Sequence, residues 1–254
     1  MPCIDFNSDL GESFGLYVAG NDLDVLPNIT SANVACGFHA GDAPTMRRTV
    51  REAAALGVAV GAHPGFPDLQ GFGRRRMVLS PDEVYDFVVY QVGALRGFTA
   101  AANIPLCHVK PHGALYNMAA VDAALATAIC HAVRDIDAAL ILFGLANSEL
   151  TRSAEALGIP VAHEVFADRS YQADGTLTPR GKPGAMIEDP EVATAQILTM
   201  LMDGRVRSQQ GNWVSVKADT VCIHGDQPGA ATFARAIRTA LIREGVHISA
   251  PVKR

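Results

Sequence analysis

The sequence predicts a parallel α/β fold, and three patterns carry that expectation. Short apolar runs alternate with segments whose apolar residues recur at helical spacing. Several of those runs are apolar almost throughout, as strands covered on both faces of a parallel sheet are. Polar residues of catalytic type follow nearly every run. That is where β/α barrels and open parallel sheets alike place their active sites, at the carboxyl ends of the strands.

In chain order, strands are expected at residues 3–6, 31–36, 58–62, 106–109, 139–143, 161–165 and 220–223. The helices between them carry end signals. Ser80, Pro81 and Glu83 spell a capping box with proline at the first helical position, ahead of Val84, Val88, Val92 and Leu95 on one face. Asp189, Pro190 and Glu191 open another helix, which stops at Gly204. A third runs from about residue 228 to 245, with Phe233, Ile237 and Leu241 on one stripe. Seven strands alternating with helices mean a parallel α/β architecture, and on pattern alone a closed barrel and an open doubly wound sheet both remain. No linker divides the chain, so residues 1–254 are expected to form a single domain with a full core. The loops at 64–79 and 166–188 are long enough to be read as functional.

Composition excludes several classes of partner. A balance of 26 acidic against 21 basic residues argues against nucleic acid, which needs a basic face. The run Arg74, Arg75 and Arg76 suits a solvated loop or a small anionic ligand. Five cysteines (Cys3, Cys36, Cys107, Cys130 and Cys222) contain no CxxC pair, which fits reduced thiols. With no signal-peptide pattern and no apolar run of about 18 residues, a soluble, cytoplasmic protein without a membrane partner is expected.

Function is read from the strand ends. The first strand leads into Asn7, Asp9 and Glu12, the second into His39 and Asp42, the third into His63 and Asp68. The fourth leads into Lys110, His112, Tyr116 and Asn117; the sixth carries Glu164 and leads into Asp168 and Arg169; the seventh leads into His224 and Asp226. If these ends converge, one mouth gathers histidines, carboxylates, a lysine and an arginine. Blander readings stand beside this one. His39 and His63 could be hydrogen-bonded core residues, and Cys36 reads as a small buried thiol rather than a nucleophile. His131 and His247 lie on a helix and near the tail, His108 and His163 within strands. Asp22 and Asp24 read as solvated surface, and Trp213 as packing.

Asp9, His39, His63, His112 and His224 are ligand types for a first-row metal. No HExxH or HxH pair occurs, however, and the ligands would have to come from separate strands. A transition metal is therefore not expected; Asp9, His39 and His63 would hold one if it were present. Mg²⁺ arriving with a nucleotide asks for less protein. No Walker motif occurs, so a phosphate site would rely on loop amides, helix N-termini, Lys110 or Arg169.

Six segments carry a family resemblance: NSDLGESFG (7–15), NVACGFHAGD (33–42), GAHPGFPD (61–68), HVKPHGALYN (108–117), EVFADRSY (164–171) and IHGD (223–226). With them the chain resembles the LamB/YcsF-like family of 5-oxoprolinase A subunits. The resemblance implies a seven-stranded, TIM-like parallel β/α barrel of the glycoside hydrolase/deacetylase type. It also implies ATP-dependent cleavage of 5-oxo-L-proline to L-glutamate, with Mg²⁺ accompanying ATP, in a complex with B and C subunits. For that reaction the catalytic candidates are Asp9, Glu12, His39, His63, His112 and His224. Candidates for binding substrate or phosphate are Asn7, Asp42, Lys110, Asn117, Glu164, Arg169 and Asp226. The rival reading is a metal-dependent amidohydrolase or carbohydrate deacetylase that needs no ATP.

Overall fold

The structure, a computed structural model, describes residues 2–224 and 229–251, with the backbone alone at His224. In chain order the strands are β1 (Cys3–Leu10), β2 (Ser31–Ala35), β3 (Ala59–His63), β4 (Leu106–Val109), β5 (Ile141–Leu145), β6 (Val161–Phe166), β7 (Arg205–Arg207), β8 (Trp213–Ser215), β9 (Thr220–His224) and β10 (His247–Ile248). The helices are α1 (Asp22–Val25), α2 (Ala43–Ala55), α3 (Pro81–Ala101), α4 (Gly113–Ala119), α5 (Ala123–Ile136), α6 (Glu149–Ala156), α7 (Pro190–Asp203) and α8 (Ala230–Arg243).

β1 to β6 and then β9 follow one another as parallel neighbours. β9 pairs back onto β1 from Asp5↔Thr220 to Asp9↔His224, and the sheet closes into a seven-stranded barrel. β10 lies parallel to the start of β1, at Cys3 and Ile4, where β9 no longer reaches. β7 and β8 form a separate antiparallel pair that the sequence pattern does not announce, because runs of three residues are too short to show alternation.

The barrel interior is polar and the apolar core lies outside it. Along β1, Ile4, Phe6 and Leu10 belong to the layer beneath the helices, joined by Val34, Val109 and Val221 from other strands. Each such side chain, fully buried, contributes on the order of 2 kcal/mol. The alternate residues Asp5, Asn7 and Asp9 point inward and find polar partners there. A small apolar cluster of Ile141, Phe143 and Ala162 stands apart from the main core.

Helix ends follow local chemistry. At α3, Ser80 Oγ accepts from Glu83 N (3.3 Å) and Glu83 Oε2 accepts from Ser80 N (2.8 Å), the reciprocal bonds the sequence predicts. α7 ends at Gly204 in the left-handed region, at φ 64°. Among the described residues, no single helix is long and apolar enough to cross a membrane.

Two surface expectations are corrected. Asp22 is not simply solvated: it accepts from Gly11 N (2.9 Å) and Thr49 Oγ1 (3.2 Å), and burial pushes its carboxyl up. Trp213 is 50% exposed, with the Arg205 guanidinium 4.3 Å from its ring centroid, so it covers an arginine rather than filling a core.

Asp5 gives the barrel a pH dependence. Its carboxyl accepts from Thr30 Oγ1 (2.7 Å), Ser31 Oγ (2.7 Å) and Thr220 Oγ1 (2.5 Å), yet burial outweighs these bonds and raises it to about 6. Between the unfolded value and about 6 the native chain holds a proton that the unfolded chain has released. This contribution is therefore complete at low pH and is lost as pH rises through 6. In urea titrations, the stability of the wild type relative to Asp5→Asn should fall by about 2 kcal/mol between pH 4 and pH 7. A difference that does not move with pH would refute this.

Candidate active site

Lys110, one residue past the end of β4, stands at the centre of the inward-facing residues. Its Nζ lies 2.9 Å from Asp9 Oδ1 and 2.8 Å from Glu164 Oε1, and it also donates to Asn7 Oδ1 (3.3 Å) and Cys222 Sγ (3.1 Å). Asn7 Nδ2 donates to Glu164 Oε1 (3.0 Å), and the Tyr116 hydroxyl donates to Glu164 Oε2 (2.6 Å). Asn33 Nδ2 donates to Asp9 Oδ1 (2.8 Å), while His108 Nε2 donates to Asn33 Oδ1 (2.7 Å). Burial works against a charge on Lys110, but Asp9 foremost and the other negative groups more than offset it, and the ammonium is held well above its usual range. At His108 burial, then Lys110, outweighs the support of Asp9 and lowers it to about 3, so its ring is neutral.

Beside this network, three histidines and one glutamate meet from four segments of the chain. Glu12 follows β1, His39 follows β2, His63 ends β3 and His112 precedes α4. One ligand-type atom from each lies within 4.8 Å of the others. His39 stacks on His112 with centroids 3.7 Å apart and planes 2° from parallel. Gly65 makes room for this: a Cβ there would come within 2.6 Å of His39 Nδ1. His39 and His112 are both held well below their ordinary values, burial first and the neighbouring histidines next, so both rings are neutral. The ligands do come from separate strands, as the sequence requires, and the fold brings them together. Glu12 joins the three histidines, and Asp9, whose Oδ1 is engaged by Lys110 and Asn33, brings its Oδ2 to 3.3 Å from His63 Nε2.

His63, His112, Asp9 and Lys110 open onto a cavity of about 660 Å³. Its other walls include Arg74 and Arg76 from the 64–79 loop, and Arg169 and Arg180 from the 166–188 loop. Arg169 is buried and its Nε has no hydrogen-bond partner among the described residues; burial, then nearby Arg180, pulls its guanidinium below the usual range. Two cations drawn together this way make a receptor for an anion. Both long loops are tied down. His112 Nε2 donates to Phe72 O (2.8 Å) in the first, and Phe166 N donates to the Tyr171 hydroxyl (2.9 Å) in the second.

Other sequence candidates go elsewhere. Asp42 caps α2, accepting from Thr45 N (3.0 Å) and Gly15 N (2.9 Å), and does not line the cavity. Asn117 lines the rim, with its side chain donating to Gly113 O (3.0 Å) one turn earlier. Asp68 is held by Arg75 within its own loop. His163 pairs with Glu155 (3.0 Å). Cys36 donates to Val34 O (3.0 Å) and burial raises it to about 12, which leaves a neutral thiol and no nucleophile. The His224 side chain and Asp226 lie outside the described residues. Sequence reasoning passed over Asn33 and Arg180, while Arg76, in the basic run read as a solvated loop or an anion contact, lines the cavity. Asn33 had a signal, a polar residue at an inward position of an otherwise apolar strand; Arg180 had none beyond charge.

Residues 4–254 match the LamB/YcsF family. The chain is 61% identical over 249 residues to the 5-oxoprolinase A subunit of Bordetella pertussis, covering 98% of this chain and 99% of that protein. It is 60% identical over 247 residues to the 5-oxoprolinase A subunit of Bacillus subtilis, covering 97% and 96%. The crystal structure of a lactam utilization protein from Thermus thermophilus matches with a TM-score of 0.93 at 48% identity, over 98% of this chain and 100% of that one.

Proposed function

The chain belongs to the LamB/YcsF family, and from that membership we propose that it is the A subunit of a 5-oxoprolinase, opening 5-oxo-L-proline to L-glutamate with coupled hydrolysis of ATP. In this reading residues 1–254 act as one barrel and work with B and C subunits. The supporting observation is the cavity itself. Its floor carries Lys110 between Asp9 and Glu164, and its rim carries Arg74, Arg76, Arg169 and Arg180. An anionic lactam and a polyphosphate both suit such a site.

A lactam is a poor electrophile, and ATP supplies the phosphoryl group that activates its carbonyl oxygen. The rest falls to the chain's own residues. The arginines hold the polyanion, with which Mg²⁺ arrives, and fix its position by planar, charge-assisted hydrogen bonds. Lys110 places a permanent positive charge where negative charge develops on the opening ring. Asp9 accepts a proton from the attacking water and returns it to the departing nitrogen.

The test reconstitutes the purified chain with its B and C partners and measures glutamate release from 5-oxoproline. Release should require both ATP and this chain. Nucleotide-independent release, or none with all components present, would overturn the assignment. Within that assay, Arg180→Ala should raise KM for ATP about 10-fold, the equivalent of ~1.4 kcal/mol, with kcat little changed. An unchanged KM would remove Arg180 from the nucleotide site.

A further inference from the structure

We propose that Glu12, His39, His63 and His112 bind one first-row divalent cation, with Zn²⁺ the best match. Hydrogen-bond roles around His63 and His112 are the strongest argument. His63 Nδ1 lies 2.7 Å from Lys110 O and His112 Nε2 lies 2.8 Å from Phe72 O. A carbonyl only accepts, so both of these nitrogens carry hydrogens. The two nitrogens left over, His63 Nε2 and His112 Nδ1, face each other at 2.9 Å, and Asp9 Oδ2 lies 3.3 Å from the first. Two opposed lone pairs need something positive, either a shared proton or a metal ion. Backbone carbonyls that fix the outer nitrogen are also the usual means of orienting a metal-ligating histidine.

His39 points the same way. It is 0% exposed, and among the described residues neither of its ring nitrogens has a hydrogen-bond partner. A buried polar atom left so costs about 1–3 kcal/mol. One shared proton cannot satisfy His39 as well as the other two rings, whereas one cation can accept all three. Glu12 Oε1 completes the set at 3.6 Å from His112 Nδ1 and 4.0 Å from His39 Nε2. Ligand atoms around a tetrahedral zinc lie roughly 3.4 Å apart, so the cluster needs only small adjustments. One of them is specific: parallel lone pairs do not converge, and the stacked rings of His39 and His112 must tilt apart on loading. Three imidazoles and one carboxylate suit zinc and its first-row neighbours better than Mg²⁺ or Ca²⁺.

His63 and His112 also line the cavity, so the ion would border the site proposed for lactam opening. The binding claim itself needs neither ATP nor the B and C partners, and it can fail or hold separately from that function. The experiment uses the full chain with its affinity tag removed, stripped of metal and titrated with Zn²⁺ by calorimetry, with bound zinc counted by elemental analysis after gel filtration. About one zinc per chain is expected. Glu12→Gln and His39→Gln should each weaken affinity by at least about 100-fold, more than the loss of an outer-shell partner causes. His247→Ala, in exposed β10, should bind as the wild type does. Circular dichroism of each variant separates lost ligands from lost fold, and the conservative Glu12→Gln keeps the test valid if a histidine variant misfolds. A crystal soaked in Zn²⁺ should show an anomalous peak between Glu12, His63 and His112. Retention well below one zinc per chain, affinity insensitive to both variants, or a peak elsewhere would each overturn the proposal and leave the shared proton as the answer.

Discussion

Lys110→Met is expected to destabilise the barrel by about 3–5 kcal/mol, the cost of breaking a buried ion pair by removing one partner. Asp9 Oδ1 and Glu164 Oε1 would lose the single ammonium that lies within 3 Å of both, while their surroundings stay buried. Methionine fills the volume, so the loss is electrostatic rather than a cavity effect. The sign of the pH dependence follows. Carboxylates deprived of their counter-charge in a buried site bind protons more tightly than in the unfolded chain, so the deficit should shrink at pH 5 and widen toward pH 8. Urea titrations at the two pH values measure it. Adding Glu164→Gln should recover part of the loss, because one buried charge is then removed with its partner. A Lys110→Met protein as stable as the wild type at pH 8 would sink this account of the interior.

Asp9→Asn is expected to lower kcat of the reconstituted enzyme by about 10²–10⁴-fold, the usual contribution of a positioned general base. The amide keeps the shape, and its oxygen can still accept from Asn33 and Lys110, so the fold should persist; Glu164 remains to pair the lysine. The loss should appear in kcat at saturating ATP and 5-oxoproline rather than in KM. His112→Ala should be comparably inactive with a near-normal circular dichroism spectrum. Near-normal turnover in both variants would mean that the chemistry happens elsewhere, on a partner chain or at an interface.

Much of the secondary structure was legible because its signals are local. The strand at 106–109 is found with the bounds the sequence predicts, and the Ser80 and Gly204 signals mark real helix ends. β1 shows where local reading fails. The apolar run stops at Phe6, but the strand continues to Leu10, because Asn7 and Asp9 face a polar interior rather than solvent. An apolar criterion cannot see a strand whose inner face is built from hydrogen-bonded polar groups.

The site was legible in part, for a similar reason. Placing polar residues at strand ends singled out Asp9, Glu12, His39, His63, Lys110, His112 and Glu164, and all seven gather at one end of the barrel. The same rule took in Asp42, whose carboxylate caps the helix that follows it, because a cap and a ligand look alike in sequence.

By itself, then, the sequence determined the alternation of strand and helix, the ends of three helices that carry local end signals and the pool of residues from which a site could be made, since each depends on neighbours within a turn or two. Tertiary structure alone decided three things. Closure of the sheet depends on β1 meeting β9 across more than two hundred residues. The placing of Asp9 between Lys110 and His63, and of Glu12 beside His39 and His112, depends on which side chains the strand register brings within 3–4 Å. The arginine rim depends on two loops, about a hundred residues apart, folding over the same mouth. Hydrogen bonds and ion pairs act at contact distance, and contact between distant segments is a property of the packed barrel rather than of any stretch of its chain.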